Sequence, residues 1–487
     1  MSISVLSRSM TLHPLFLNRI MIIVTVLVYF AILFAISRLT GKQGDNATFY
    51  RANRQAPWYM VAFGMVGASI SGITFVSVPG MVLTSQMTYL QVCLGFVVGY
   101  VVVANLLLPL YYRLGLTSIY AYLGQRLGQR SYGTGAWFFL LSKMAGAAVK
   151  FYVVCMILQQ FVFDAAGIPF TVNVVLLVLL IWLYTRRGGI GTLVFTDVFQ
   201  TLCLFTALIL IIVSVLSDLH LSVSEAVGSI ARSDMSRIFV LDDVSSPHNF
   251  WKQFLSGVFI VIVMTGLDQD MMQKNLTCRT LRDAQKDMCS YGVAFLPANL
   301  LFLSLGILLT MVLGTDLKGD EMLTHYIQGA TKTQMLFTLG IVAASFSSAD
   351  SALTSLTTCY CVDISQRPHD EQLRKRIHLI MCFGFVLFIL LFRSINSTSL
   401  IDAIYILVGY TYGPLLGLFA FGLFTRRRPA DRLVPYICIA SPLVCYAIDQ
   451  TAQRLSGYHF GYELLMLNGL LTFLGLYLSS VRHKKEA

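Results

Sequence analysis

The chain has 487 residues, 56% of them hydrophobic and 12% charged, with a mean hydropathy of +0.72 and a formal net charge of +11. A composition this apolar lies outside the soluble range and defines an integral membrane protein. The basic excess is explained by topology, as follows, and carries no nucleic-acid signal.

Crossing about 30 Å of hydrocarbon takes roughly 20 apolar residues in a helix, because every backbone polar group must be satisfied within the segment. Thirteen runs fit, near 20–37, 58–83, 88–112, 134–163, 169–185, 191–216, 250–270, 289–313, 335–360, 376–392, 399–424, 433–448 and 461–481. The fifth and twelfth are short. The first has too long an apolar core for a signal peptide and no small-residue cleavage site after it, so it reads as a retained helix. Lys and Arg collect in cytoplasmic loops. Thirteen spans with the N-terminus outside place 24 of the 35 basic residues on inner segments, Lys42, Lys274, Arg374 and Arg426 to Arg428 among them, and 9 on outer ones. This topology predicts a multi-pass protein of the cell membrane with a cytoplasmic C-terminus. Asn46, Asn275 and Asn396 begin glycosylation sequons, but the first two fall on the inner side. The ten cysteines lie almost entirely in spans or on the inner side and suggest no disulfide framework. Loops are short apart from 217–246 and the stretch "TDLKGDEMLTHYIQGATKTQ", so no soluble domain is left to hold an enzyme active site.

With the first helix set aside, the next ten divide into two sets of five, and an odd number per set forces opposite orientations. That is the arithmetic of the inverted repeats found in many secondary transporters. The predicted division is an extra helix and loop over 1–57, repeats over 58–216 and 247–424, and two further helices over 425–487. The second span carries "GASISGITFVSVPG", with Gly67, Gly72, Pro79 and Gly80, and its counterpart five spans later carries "TGLDQD", with Gly266. Helices broken at such positions free carbonyls at the midplane, where they can serve as oxygen ligands for a hard cation such as sodium. The ninth span adds "IVAASFSSADSALTSLTTCY". There Ala344, Ser347, Ser348 and Ser351 recur at i, i+3, i+4 and i+7 and share one face, with Asp350 at its edge. That many oxygens in hydrocarbon point to a cation site; the alternative is hydroxyls bonded back to their own helix.

Six motifs, "GASISGITFVSVPG", "LGLTSIYAYLGQRLG", "GGIGTLVFTDVFQ", "TGLDQDMMQKNL", "SFSSADSALTS" and "GYTYGPLLGLF", stand in the order in which the chain resembles the sodium/solute symporters, the family of the sodium–glucose, proline, pantothenate and sialic acid carriers. The resemblance implies an all-α LeuT-type fold and sodium-coupled uptake by alternating access, with sodium as coupling ion and no other cofactor. It also implies a sodium site made by the carbonyls of Gly67, Ile70 and Ala344 and the hydroxyls of Ser347 and Ser348. In some members a second sodium uses positions matching Asp197, Ser347, Asp350 and Ser351, but Asp350 replaces a hydroxyl of the sialic acid carriers. If Asp197 and Asp350 bind a proton instead, the carrier is proton-driven or sodium-independent; a transporter-like sensor is the third reading. A monomer is expected.

Lys143 and Lys150 lie seven apart on one helix face. A lysine within a span is a functional residue by default, or else a structural one paired with an acid such as Asp197 or Asp268. Facing a cavity, either would select an anion such as a sugar acid or another carboxylate. Ser71 and Thr74 match solute-contacting positions of the sialic acid carriers. The carboxylate-binding Arg of those carriers falls at about Gly146, and the gating Tyr of the sugar carriers at about Met264. In "GYTYGPLLG", Pro414 removes a helical N–H while Gly409 and Gly413 ease bending, which predicts a moving gate or a static kink.

Overall fold

The computed structural model describes residues 3–41, 44–243, 246–328, 330–395, 400–456, 458, 460 and 463–480, and these are almost wholly helical, with no strand among them. Each of the thirteen apolar runs coincides with helix. In chain order these are α1 (Ile3–Thr40), α2 (Trp58–Ser69) with α3 (Gly72–Gly80), α4 (Tyr89–Val102), α5 (Gln129–Leu158), α6 (Phe170–Thr185), α7 (Ile190–Asp218), α8 (Phe250–Val261) with α9 (Gln269–Asn275), α10 (Leu281–Leu313), α11 (Thr331–Cys359), α12 (Glu371–Ile395), α13 (Leu400–Phe424), α14 (Val434–Ser456) and α15 (Leu464–Ser479). The two spans expected to break do so. The chain bends by 62° between α2 and α3, and by 71° between the α8 segment, which runs on through a wide turn to Gly266, and α9.

Burial sorts the helices. Of the most apolar stretch of α11, 83% is buried within the protein, against 22% for α1, so α11 is central and α1 peripheral. Helix α11 packs on α7, α5 and both halves of the first broken span; α7 in turn lies on α2. That contact is close because of glycine: a Cβ at Gly64 would sit 2.8 Å from Asp197 Cβ, and one at Gly67 only 1.9 Å from Thr201 Oγ1.

Several boundaries differ from expectation. The seventh span does not end at 270 but resumes after its break and runs to Asn275, so Lys274, expected in a cytoplasmic loop, is 2% exposed in the core. Asn275 is also fully buried. Arg374, likewise expected in a loop, is 1% exposed and donates to the Gly44 and Asp45 carbonyls, tying together two segments expected on the inner side. The twelfth span is longer than its apolar core, reaching Ser456. Two stretches expected as loops contain surface helices, Val223–Arg232, started by a Ser222/Glu225 capping box, and Gly319–Ile327, whose Gly319 abuts Gly80. Lys42, Asn396 and the tail 481–487 lie outside the described residues.

The "GYTYGPLLG" glycines serve a purpose other than bending alone. Cβ atoms at Gly409, Gly413 and Gly417 would meet Leu464 at 3.2 Å, Asn468 at 2.4 Å and Thr472 at 2.4 Å, so a stripe of glycines lets α13 and α15 approach closely. Pro414 cannot donate to the Tyr410 carbonyl four residues earlier. Asn468 Nδ2 fills that role, donating to the carbonyls of Tyr410 and Gly409, each at 3.0 Å. Asn468→Ala is therefore expected to destabilise the protein by about 1–3 kcal/mol, the cost of unmet buried acceptors. Thermal unfolding in detergent would check this, and an unchanged midpoint would count against it.

Candidate sodium and solute sites

The first break is set by Ser71. Its side chain accepts from the Thr74 N–H (3.5 Å) while its own N–H bonds to Thr74 Oγ1 (3.3 Å), a reciprocal cap that starts α3. In an unbroken helix those two N–H groups would serve the carbonyls of Gly67 and Ile70. Both carbonyls thus lose their helical donors, and they are two of the three that the resemblance assigns to sodium. Opposite, Ser348 Oγ donates to the Ala68 carbonyl at 2.7 Å, joining α11 to the end of α2. A hydroxyl has one hydrogen and two lone pairs, so this bond leaves Ser348 able to face a cation. Ala344 lies one turn earlier within continuous helix α11. Ser347 turns toward α7, donating to Asp197 Oδ1 at 2.7 Å.

The second break is built in the opposite sense. Asp268 caps α9 by accepting from the N–H groups of Asp270 (2.8 Å) and Met271 (3.3 Å). The Gly266 and Leu267 carbonyls freed by this receive the hydroxyls of Tyr111 and Tyr120, both at 2.9 Å. These oxygens are occupied by the protein itself. Tyr412 on α13 donates to Asp268 Oδ2 at 2.7 Å, so the proline-bearing helix is tied to this break. Lys143 pairs with Asp268 at 3.1 Å and Asp270 at 2.7 Å. It is acid-paired through one of the partners the sequence suggested, with Asp270 as a second.

Asp197, Asp350 and Ser351 do come together, but not alone. Asp197 Oδ2 pairs with the buried Lys274 ammonium at 2.8 Å. The Asp350 oxygens accept from Tyr184 OH (2.6 Å) and Ser351 Oγ (3.3 Å). Lys274 is the residue that sequence reasoning missed. The signal was Asp268 two residues after Gly266, a helix-start pattern that would have carried the span through Lys274.

Between the two breaks lies a cavity of about 160 Å³. Ser71, Thr74, Lys150 and Met264, all candidates from the sequence, line it together with Ser69, Tyr100, Thr265 and Tyr291 on its polar side and Phe96, Ile260 and Phe295 on its apolar side. Tyr291 OH meets Ser69 Oγ at 2.5 Å and receives Tyr100 OH at 2.7 Å. A smaller cavity of about 60 Å³ adjoins it, sharing Ala68, Lys150, Met264 and Met271 and adding Ser348, Lys143 and Gly146. Ala68 and Ser348 therefore connect the first break to the space beside Lys150. Unlike Lys143, Lys150 makes no ion pair or hydrogen bond among the described residues.

Two broken helices, one with carbonyls that have lost their helical donors beside a hydroxyl-bearing helix and both bordering one cavity, define an ion-coupled secondary transporter. The model of the sodium:solute symporter family matches residues 49–431, and the chain belongs to that family. It is 26% identical to the sodium/sialic acid symporter SiaT of Proteus mirabilis, over 82% of this chain and 83% of that protein. It is 25% identical to the sodium/sialic acid symporter NanT of Aliivibrio fischeri, with 88% of each chain covered. Similarity to the human sodium/iodide cotransporter is 24%, over 79% of this chain and 62% of that one. Among solved structures, a Na+-coupled sialic acid symporter in a substrate-bound outward-open state superposes with a TM-score of 0.80 at 20% identity, covering 95% of this chain and 99% of that one. Mhp1, a nucleobase-cation-symport-1 family transporter, gives 0.57 at 15% identity, covering 88% and 92%. The LeuT-type fold expected from the motifs is the fold found.

Proposed function

We propose that this chain imports a small organic anion by sodium-coupled symport, with residues 58–216 and 247–424 as the two repeats of an alternating-access carrier acting as a single chain. The N-terminus lies outside and the C-terminus in the cytoplasm. The observation that carries the reading is the contrast between the breaks: the Gly67 and Ile70 carbonyls have lost their helical donors beside Ser348, whereas those of Gly266 and Leu267 are filled by tyrosines. Sodium sits at the first break, on Gly67, Ile70, Ala344, Ser347 and Ser348. Because Ala68, whose carbonyl Ser348 holds at the first break, lines both cavities, an ion there steadies one wall of the solute cavity, which couples the two ligands.

One sodium moves per cycle. The Asp197 position, which could have held a second, already has a cation in Lys274. An unpaired carboxylate in such a place would be costly, so the ammonium stands in for an ion, with Asp350 and Ser351 packed alongside.

The solute is an anion whose carboxylate meets Lys150. Sialic acid, carried by two relatives, is one member of that class. Lys150→Gln is expected to weaken anion binding by roughly 10- to 100-fold, from a charge-assisted bond of about 1.5–3 kcal/mol. Lys143→Gln would instead strand Asp268 and Asp270 and lower stability. Thermal-shift titration of both variants with the anion that most stabilises wild type tests the pair. Full affinity in Lys150→Gln would remove Lys150 from the solute site. Gly409, Gly413 and Pro414 remain the proposed gate, acting on the cavity through the Tyr412–Asp268 contact.

A further inference from the structure

A larger cavity, of about 650 Å³, lies away from the transport path, where the expected inner ends of α1, α6 and α12 converge. Its wall carries Arg38, Arg186, Arg187, Arg374 and Lys375 and, among the described residues, no acid. Two acids lie close by: Asp45 caps the Asn46–Arg51 helix, and Glu371, 3.5 Å from Lys375, offsets that one cation and leaves the four arginines. Arg374 lies over the Phe49 ring at 4.6 Å, and its buried Nε has no partner among the described residues. Arg186 lies over the Trp182 ring at 4.8 Å. Two of the five cations are thus held in place by aromatic rings, so the site is partly preorganised.

Like charges brought together in a concavity repel one another unless an anion joins them, and guanidinium groups match phosphate oxygens. The wall also has an apolar side: Phe34 and Leu183 line the cavity, and α1 exposes Val24, Leu27 and Val28 along its length. A free phosphate would use the cations and leave this apolar side without a role. An anionic phospholipid uses both.

We propose that this cavity binds the headgroup of an anionic phospholipid, its phosphate on Arg38, Arg187 and Arg374 and its chains along α1. Basic pockets at the cytoplasmic ends of membrane helices suit such headgroups. The test uses delipidated full-length protein in detergent, read by thermal unfolding with phosphatidylglycerol, phosphatidylcholine or inorganic phosphate. The variants are Arg38→Gln/Arg187→Gln and, as a charge-matched control, Arg426→Gln/Arg428→Gln, whose arginines are exposed elsewhere on the inner side. Phosphatidylglycerol is expected to raise the wild-type midpoint, with phosphatidylcholine and phosphate giving less than half that shift. The cavity variant should lose at least half of the phosphatidylglycerol shift and the control should keep it. Equal shifts from both lipids, reproduction of the shift by phosphate alone, or equal losses in the two variants would overturn the proposal. If the cavity variant fails to fold, the comparison of the two lipids and phosphate on wild type still decides it.

Discussion

Replacing Ser348 with alanine is expected to weaken sodium binding by roughly 10- to 100-fold, seen as a matching rise in the sodium concentration that half-stabilises the purified protein. The estimate rests on one lost hydroxyl contact to an ion, about 1.5–3 kcal/mol, with tenfold for each 1.4 kcal/mol. The substitution also removes the bond from Ser348 to the Ala68 carbonyl, so the end of α2 loses its link to α11 just where the Gly67 and Ile70 carbonyls must be held in place. Ser351→Ala is the control. Ser351 is a buried hydroxyl one turn further along the same helix, but it bonds to Asp350. With a single sodium at the first break, its loss should leave sodium affinity within about threefold, well under the 1.4 kcal/mol that makes a tenfold change. Equal losses in both variants would mean that the ion lies nearer Asp350 than the account places it.

Lys274→Met should produce the largest loss of stability of any single change considered. It leaves Asp197 buried and unpaired, and breaking a buried ion pair from one side costs about 3–5 kcal/mol. The loss should appear in sodium-free buffer and be partly reversed by sodium, because the oxygens of Asp197, Ser347, Asp350 and Ser351 are then free to hold an ion where the ammonium was. Equilibrium binding of radioactive sodium should count one ion per wild-type chain and two per Lys274→Met chain. Two ions in wild type would contradict the role given to Lys274. A variant that is destabilised but not rescued by sodium would mean that the pair is purely structural.

These two residues also mark how far the sequence could be read. Ser348 was legible because its neighbours recur at helical spacing in an apolar run, and because a serine cluster in hydrocarbon has few uses. The first break was legible because Gly67, Gly72 and Pro79 interrupt a span. Lys274 was not, since "DQDMMQKN" is polar enough to resemble a loop. What makes it a buried helix is that its charges find partners far away in sequence, Asp270 on Lys143 and Lys274 on Asp197. Local composition carries no trace of such pairing. The same limit applies to Gly409 and Gly413. Their spacing carries no sign of a packing role, which only the position of Asn468 on α15 reveals. Val223–Arg232 and Gly319–Ile327 were passed over because surface helices this short have no run of hydrophobic residues to reveal them.

The central claim is that sodium at the first break and an organic anion beside Lys150 bind as one coupled pair. The most direct test is thermal stabilisation of purified wild-type protein by a panel of sugar acids, short monocarboxylates and amino acids, measured in sodium and again in potassium, since a ligand that binds only the folded state raises apparent stability. The account predicts at least one anion that stabilises the protein in sodium and does so at least tenfold more weakly in potassium. An anion that stabilises it equally in both salts would contradict sodium coupling.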